Sequence, residues 1–232
     1  MILLQSLLTV STQNQPASQA STTAPPIATE ELRVSLGGVP IVEEVTFTLQ
    51  RGELALLTGP NGAGKSTLLR ALVGLLPSRG DIALFGRPNG GLSAREQFVF
   101  VPDEPALYED LTLREHARFN ALVYRVPEAD ERAVDWLERF GLGAKLDEFP
   151  GTHSRGMRQK LSLALALGLE RPLTLLDEPF NGLDIQSQEL LADALQGRAA
   201  AGGAVLLTGH QQELSERLTP RVMTLENGLL TG

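Results

Sequence analysis

The segment Gly59-Pro60-Asn61-Gly62-Ala63-Gly64-Lys65-Ser66 constrains this chain more than any other, because it fits the pattern G-x-x-x-x-G-K-[ST]. The short apolar run Leu54 to Leu57 precedes it, and a helix-like stretch, Lys65 to Leu76, follows. Glycines let a backbone wrap closely round an anion with its N–H groups turned inward. A helix beginning at that point adds partial positive charge. The pattern therefore predicts a phosphate cradle formed by Gly59, Pro60, Asn61, Gly62, Ala63 and Gly64. Lys65 is expected to reach the outer phosphates, Ser66 to ligate Mg²⁺, and Thr67 to contact an inner phosphate of a nucleotide. The plain alternative is a glycine-rich turn ahead of a helix.

Apolar runs of the same kind recur at Phe98 to Val101, Leu173 to Leu176 and Ala204 to Leu207. Uninterrupted runs suit strands covered on both faces. Leu32 to Leu36 and Val45 to Leu49 alternate instead, as half-buried strands do. Helical patterns lie between, at Thr112 to Tyr124, Asp130 to Phe140, Gly156 to Leu169 and Ser187 to Arg198. Strands alternating with helices predict an α/β domain with a mostly parallel core sheet. From about Pro105 to Gly168 the pattern is helical throughout, so this stretch is expected to form a helical subdomain. The domain is expected to run from residue 30 to residue 232, with no regulatory domain built on beyond Gly232.

Residues 1–29 read differently. Ser11 to Thr29 is almost wholly Ser, Thr, Gln, Ala and Pro, which predicts a disordered low-complexity tail. Ala17-Ser18-Gln19-Ala20 resembles a secretory cleavage site, but no basic region precedes it and the apolar run ahead is short and broken. A tail or a mis-set start codon is the better reading. No run of about 18 apolar residues occurs, so the chain is not expected to span a membrane itself.

The formal charge of −8 argues against a nucleic-acid partner held by bulk positive charge. The absence of cysteine removes disulfides, thiolate metal sites and cysteine nucleophiles together.

Leu173-Thr174-Leu175-Leu176-Asp177-Glu178 delivers two carboxylates directly after a buried strand, at the edge where parallel sheets bind ligands. Asp177 is placed to hold Mg²⁺ through water, and Glu178 to polarise an attacking water as a general base. Taken alone, the pair also fits a helix cap or a solvated acidic turn.

Together these elements resemble the nucleotide-binding subunits of ATP-binding cassette (ABC) transporters, over roughly Glu30 to Gly232. Ser154-Arg155-Gly156-Met157-Arg158-Gln159-Lys160 is similar to the signature segment of that family, Asn181-Gly182-Leu183-Asp184 to its D-loop, and His210 to its switch histidine. The resemblance implies a P-loop NTPase cassette with an N-terminal antiparallel β region and a helical subdomain. It implies ATP and Mg²⁺ as ligands and a head-to-tail pair of cassettes, a homodimer or two non-identical chains. In such a pair Ser154 and the Gly156 N–H meet the γ-phosphate held by the other chain. His210 then contacts that phosphate beside Glu178, and Asp184 links the two sites. It further implies a membrane-spanning permease partner and a place on the cytoplasmic face of the membrane. The wording of the signature resembles the ABC-2 exporter-type branch.

Three positions depart from the family pattern. Leu36 stands near where an aromatic residue stacks on adenine, so weakened adenine selectivity is expected. Asp103, in Val101-Pro102-Asp103-Glu104-Pro105, replaces the Q-loop glutamine; it is read either as a further Mg²⁺-side group or as a slack position. Arg155 replaces a glycine, and serves either as an interfacial charge or as a solvated helix end. Leu107, Tyr108 and Leu111 either receive the membrane partner or pack the subdomain's own core. The competing functional class is a soluble cassette in a protein-assembly complex, for example for iron–sulfur clusters; a nucleotide-binding regulatory module without turnover is a third.

Overall fold

The computed structural model describes residues 24–209 and 218–232. Its elements are β1 (Ile27–Leu36), β2 (Val39–Leu49), β3 (Leu54–Thr58), α1 (Lys65–Leu72), β4 (Arg79–Leu84), β5 (Arg87–Pro88), α2 (Leu92–Arg95) and β6 (Phe98–Val101). They continue with α3 (Leu113–Tyr124), α4 (Ala129–Arg139), α5 (Arg155–Leu169), β7 (Leu173–Leu176), α6 (Ile185–Ala200), β8 (Ala204–Thr208), β9 (Arg221–Glu226) and β10 (Leu229–Thr231).

The core is a six-stranded sheet in the order β10-β9-β3-β8-β7-β6. Every pairing in it is parallel except that of β9 with the edge strand β10. Along β3, Leu54 and Leu56 face one apolar cluster, shared with α5 and α6, while Ala55 and Leu57 face a second, shared with α1 and the antiparallel sheet. Both faces are therefore dry, which is why Leu54 to Leu57 carries no polar residue on either side and the first polar residue, Thr58, comes at the strand's end. Fully burying one such leucine contributes about 1.5–3 kcal/mol relative to exposure.

A four-stranded antiparallel sheet, β2-β1-β4-β5, covers the α1 side. Its first strand begins at Ile27, so residues 27–29, expected in the tail, belong to the sheet. The reason is packing and pairing: Ile27 is fully buried, and Thr29 Oγ1 accepts from the Phe47 N–H at 3.0 Å and donates to Val45 O at 3.1 Å. Between β6 and β7 lie α3, α4, two short 3-10 turns and α5, with no strand among the described residues. Helix α3 opens on a capping box in which the Thr112 hydroxyl accepts from the Glu115 N–H, and Glu115 in return accepts from the Thr112 N–H at 2.8 Å. Helix α1 stops at Leu72, short of the expected Leu76, because the chain turns through Val73 and through Gly74 at φ 74°.

Candidate functional site

The site assembles where β3, β6, β7 and β8 end. Past Thr58 the chain turns through Gly59 at φ 144°, where a Cβ would stand 2.1 Å from Leu225 O. Gly64 caps α1 at φ 100° with Ile41 pressed against it, so both positions exclude a side chain on two counts. The first N–H groups of α1 have no carbonyl ahead of them within the helix, which leaves Lys65, Ser66 and Thr67 to offer donors to an anion. The Lys65 ammonium folds back over the loop, donating to Gly59 O at 2.9 Å and to Pro60 O at 3.4 Å, and lies 3.8 Å from Glu178 Oε1. Its side chain is 7% exposed, so this cation is largely stripped of water.

Asp177 follows the fully buried strand β7, and its N–H donates to Val101 O at 2.8 Å, anchoring it to the end of β6. Its Oδ1 accepts from Ser66 Oγ at 3.0 Å and from Thr208 Oγ1 at 2.8 Å. Its Oδ2 is buried and has no hydrogen-bond partner. An orphaned, fully buried carboxylate oxygen beside a serine hydroxyl fits a divalent cation whose other ligands are phosphate oxygens and water, as Mg²⁺ prefers. Among the described residues no group of three or more His, Asp or Glu is arranged to hold a metal alone.

Glu178 adopts φ 48°, unusual for a residue with a side chain, and its N–H donates to Thr208 Oγ1 at 2.7 Å. Thr208 thus joins Asp177 to Glu178. Sequence reasoning passed over it; the signal available was a hydroxyl ending an otherwise apolar strand.

Ser154 caps α5, its Oγ accepting from the Met157 N–H at 3.3 Å. Gly156 faces Gly182, whose carbonyl oxygen would lie 2.3 Å from a Cβ at 156. The absence of a side chain there is set by this backbone contact with the D-loop segment. Asp184 caps α6 through the Ser187 N–H at 2.9 Å and accepts a short hydrogen bond from Lys160 of α5. That lysine first, and the Ser187 N–H second, bring the Asp184 carboxyl down to about 2.

Asp103, read from the sequence as a Mg²⁺-side group or a slack position, is paired with Arg155, whose Nη2 donates to its Oδ1 at 3.1 Å. Two departures from the family pattern are thus partners of each other, a pairing the sequence reading missed. Leu36 sits exposed at the end of β1 opposite Val39. Leu107 packs against the core cluster, and the Tyr108 ring meets Phe119 edge-on at 5.1 Å. For these two residues the subdomain's own packing is the role the contacts show. His210 lies outside the described residues.

Residues 42–181 match the family described as ABC transporter, more than half of the chain. The chain belongs to that family. It is 38% identical over 192 residues to "SkfA peptide export ATP-binding protein SkfE" of Bacillus subtilis (strain 168), covering 82% of this chain and 80% of that one. It is 35% identical over 210 residues to "Cytochrome c biogenesis ATP-binding export protein CcmA" of Idiomarina loihiensis (strain ATCC BAA-735 / DSM 15497 / L2-TR), covering 89% and 95%. A solved structure, "Structure of ATP binding subunit of ABC transporter", superposes with a TM-score of 0.83 at 36% identity, covering 89% of this chain and 88% of that one. The fold is that of an ABC ATPase cassette, as the motifs led one to expect.

Proposed function

We propose that the chain binds and hydrolyses ATP as the nucleotide-binding subunit of an ABC exporter, paired with a second cassette beneath a membrane-spanning permease at the cytoplasmic face. The observation that carries this reading is the direct contact chain Lys65–Glu178, Ser66–Asp177 and Asp177–Thr208–Glu178 at one sheet edge. The export functions in the names of the relatives SkfE and CcmA support its direction.

In this mechanism the loop N–H groups of residues 59–64 and the Lys65 ammonium hold and neutralise the outer phosphates, and Thr67 meets an inner one. Ser66 and Asp177 would hold Mg²⁺, which would supply charge neutralisation when bound. Glu178 accepts a proton from the attacking water, its carboxyl steadied through the Thr208 hydroxyl bond to its backbone. His210 contacts the γ-phosphate, while Ser154 and Gly156 close the site from the partner cassette. Phosphoryl transfer asks for positioning and electrostatics more than covalent chemistry, and these groups supply both.

Glu178→Gln tests the reading. The variant should form an ATP-dependent dimer in sedimentation while turnover falls by roughly 10²–10⁴-fold, the usual worth of a general base. Undiminished hydrolysis would remove Glu178 from that role. Affinity capture from detergent-solubilised membranes should bring down a polytopic partner in stoichiometric yield; only soluble partners would place the chain in an assembly complex instead.

A further inference from the structure

Helix α5 opens with no acidic residue in its first turn and carries Arg155 and Arg158 there, against the preference of a helix N-terminus for negative charge. A local rule broken in this way calls for compensation elsewhere in the fold. Both arginines find it in one segment. Arg155 Nη2 donates to Asp103 Oδ1 at 3.1 Å, and Arg158 Nη1 donates to Glu109 Oε1 at 2.8 Å. Asp103 lies two residues beyond β6, whose last carbonyl, on Val101, fixes the Asp177 N–H at 2.8 Å. The Arg155–Asp103 pair therefore runs from the turn holding Ser154 to the segment leaving the sheet edge that holds Asp177, and Arg158–Glu109 ties α5 to the same segment further along.

We propose that Asp103 and Arg155 are positioning residues: with Arg158–Glu109 beside them, they tie the Ser154–Gly156 turn to the segment leaving β6, so that the anion-binding turn and the Asp177 edge move as one body. Asp103 then acts through Arg155 and carries no metal. The role of the turn in meeting a partner's nucleotide rests on the function proposed above, but the tie itself does not.

Two measurements on the full chain decide it. The first is amide exchange over residues 154–158. Asp103→Asn and Arg155→Ala should each speed exchange by roughly two- to fivefold, the span an exposed ion pair can supply, and the double variant by no more than either. Arg155→Asp alone should loosen the turn although an acid there suits the helix, and Asp103→Arg added to it should restore the wild-type rate. Additive effects, or unchanged exchange, overturn the proposal. The second is ATP-dependent dimerisation in the Glu178→Gln background, which the single variants should weaken and the swapped pair recover. If the background chain never dimerises, the dimer reading fails while exchange still decides the tie. Asp103→Asn should leave the Mg²⁺ concentration for half-maximal nucleotide binding unchanged; a shift there would make Asp103 a metal-side group and sink the proposal.

Discussion

Thr208 Oγ1 donates to Asp177 Oδ1 at 2.8 Å while accepting the Glu178 N–H at 2.7 Å. One hydroxyl, fully buried at the end of β8, thereby sets the relative placement of the two carboxylate residues on which the proposed chemistry depends. Thr208→Val keeps the shape and removes the bridge. Removing the hydroxyl deletes two hydrogen bonds at about 0.5–1.5 kcal/mol each, although Asp177 Oδ1 keeps the Ser66 hydroxyl. At about 3 °C per kcal/mol for a chain of this size, the thermal midpoint should fall by several degrees. Turnover should fall with it, and Thr208→Ser should restore most of both. A valine variant with wild-type turnover would show that Glu178 is oriented by other contacts.

Asp177→Asn probes the orphaned oxygen. The amide keeps the size of the side chain but replaces one of the two carboxylate oxygens and removes the charge. Nucleotide affinity without Mg²⁺ should change little, because in the proposed function the loop and Lys65 carry the phosphate contacts. The gain in affinity on adding Mg²⁺ should shrink by roughly tenfold or more, the consequence of losing about 1.4 kcal/mol at one ligand. Titration of a fluorescent ATP analogue with and without the ion separates the two effects; equal losses in both would assign Asp177 a purely structural role.

Much of this architecture was legible in the sequence because burial on both faces leaves a plain signature. The runs Leu54–Leu57, Phe98–Val101, Leu173–Leu176 and Ala204–Leu207 read as strands of the core sheet, and all four are, the first, third and fourth central and Phe98–Val101 at its edge. Helix starts were marked by the side chains that cap them, Thr112, Ser154 and Asp184. Strand β4 was not read, since Arg79-Gly80-Asp81 opens it with residues that usually mark turns. Strands β9 and β10 were also missed: β9 mixes exposed polar residues with only two buried positions, and β10 is three residues long at the sheet edge. Within the site, local motifs located the phosphate loop and both carboxylates. The Asp103–Arg155 and Gly156–Gly182 contacts join residues far apart in sequence, and no local pattern encodes such partners.

Two glycines in neighbouring helices should respond oppositely to the same change. At Gly156 an added Cβ would stand 2.3 Å from the Gly182 carbonyl oxygen, so α5 and the D-loop segment must separate. Overpacking of this kind costs about 1–3 kcal/mol, and Gly156→Ala should lose ATP turnover along with stability. Gly197 lies exposed within α6 with nothing near its Cβ position. There alanine removes backbone freedom from the unfolded chain at no steric cost, and Gly197→Ala should stabilise by about 0.5–1 kcal/mol with turnover unchanged. Urea midpoints and steady-state ATPase rates for the two variants check both statements.

His116 should make stability fall on the acid side of neutrality. It is 3% exposed, its Nε2 accepts the Tyr108 N–H at 3.0 Å, and its Nδ1 lies 2.8 Å from Thr112 O, which fixes the neutral tautomer with the proton on Nδ1. Burial is the largest influence on the ring and lowers its pKa below the ordinary 6.5; the Thr112 carbonyl and the acids Asp110, Glu109 and Glu115 pull the other way without reversing it. The unfolded chain therefore binds this proton more readily than the folded one. The stabilisation is complete above the unfolded value and is lost progressively as pH falls below it, since an added proton on Nε2 would point at the Tyr108 N–H. Glu109 also pairs with Arg158, so the same stretch of chain is held at both ends. Urea midpoints taken from about pH 7.5 down to about pH 5 should decline more steeply for the wild type than for His116→Gln, which cannot titrate there. A wild-type curve that stays flat or rises relative to the variant over that window would mean that the ring is protonated in the folded chain and that Tyr108 is held by other contacts.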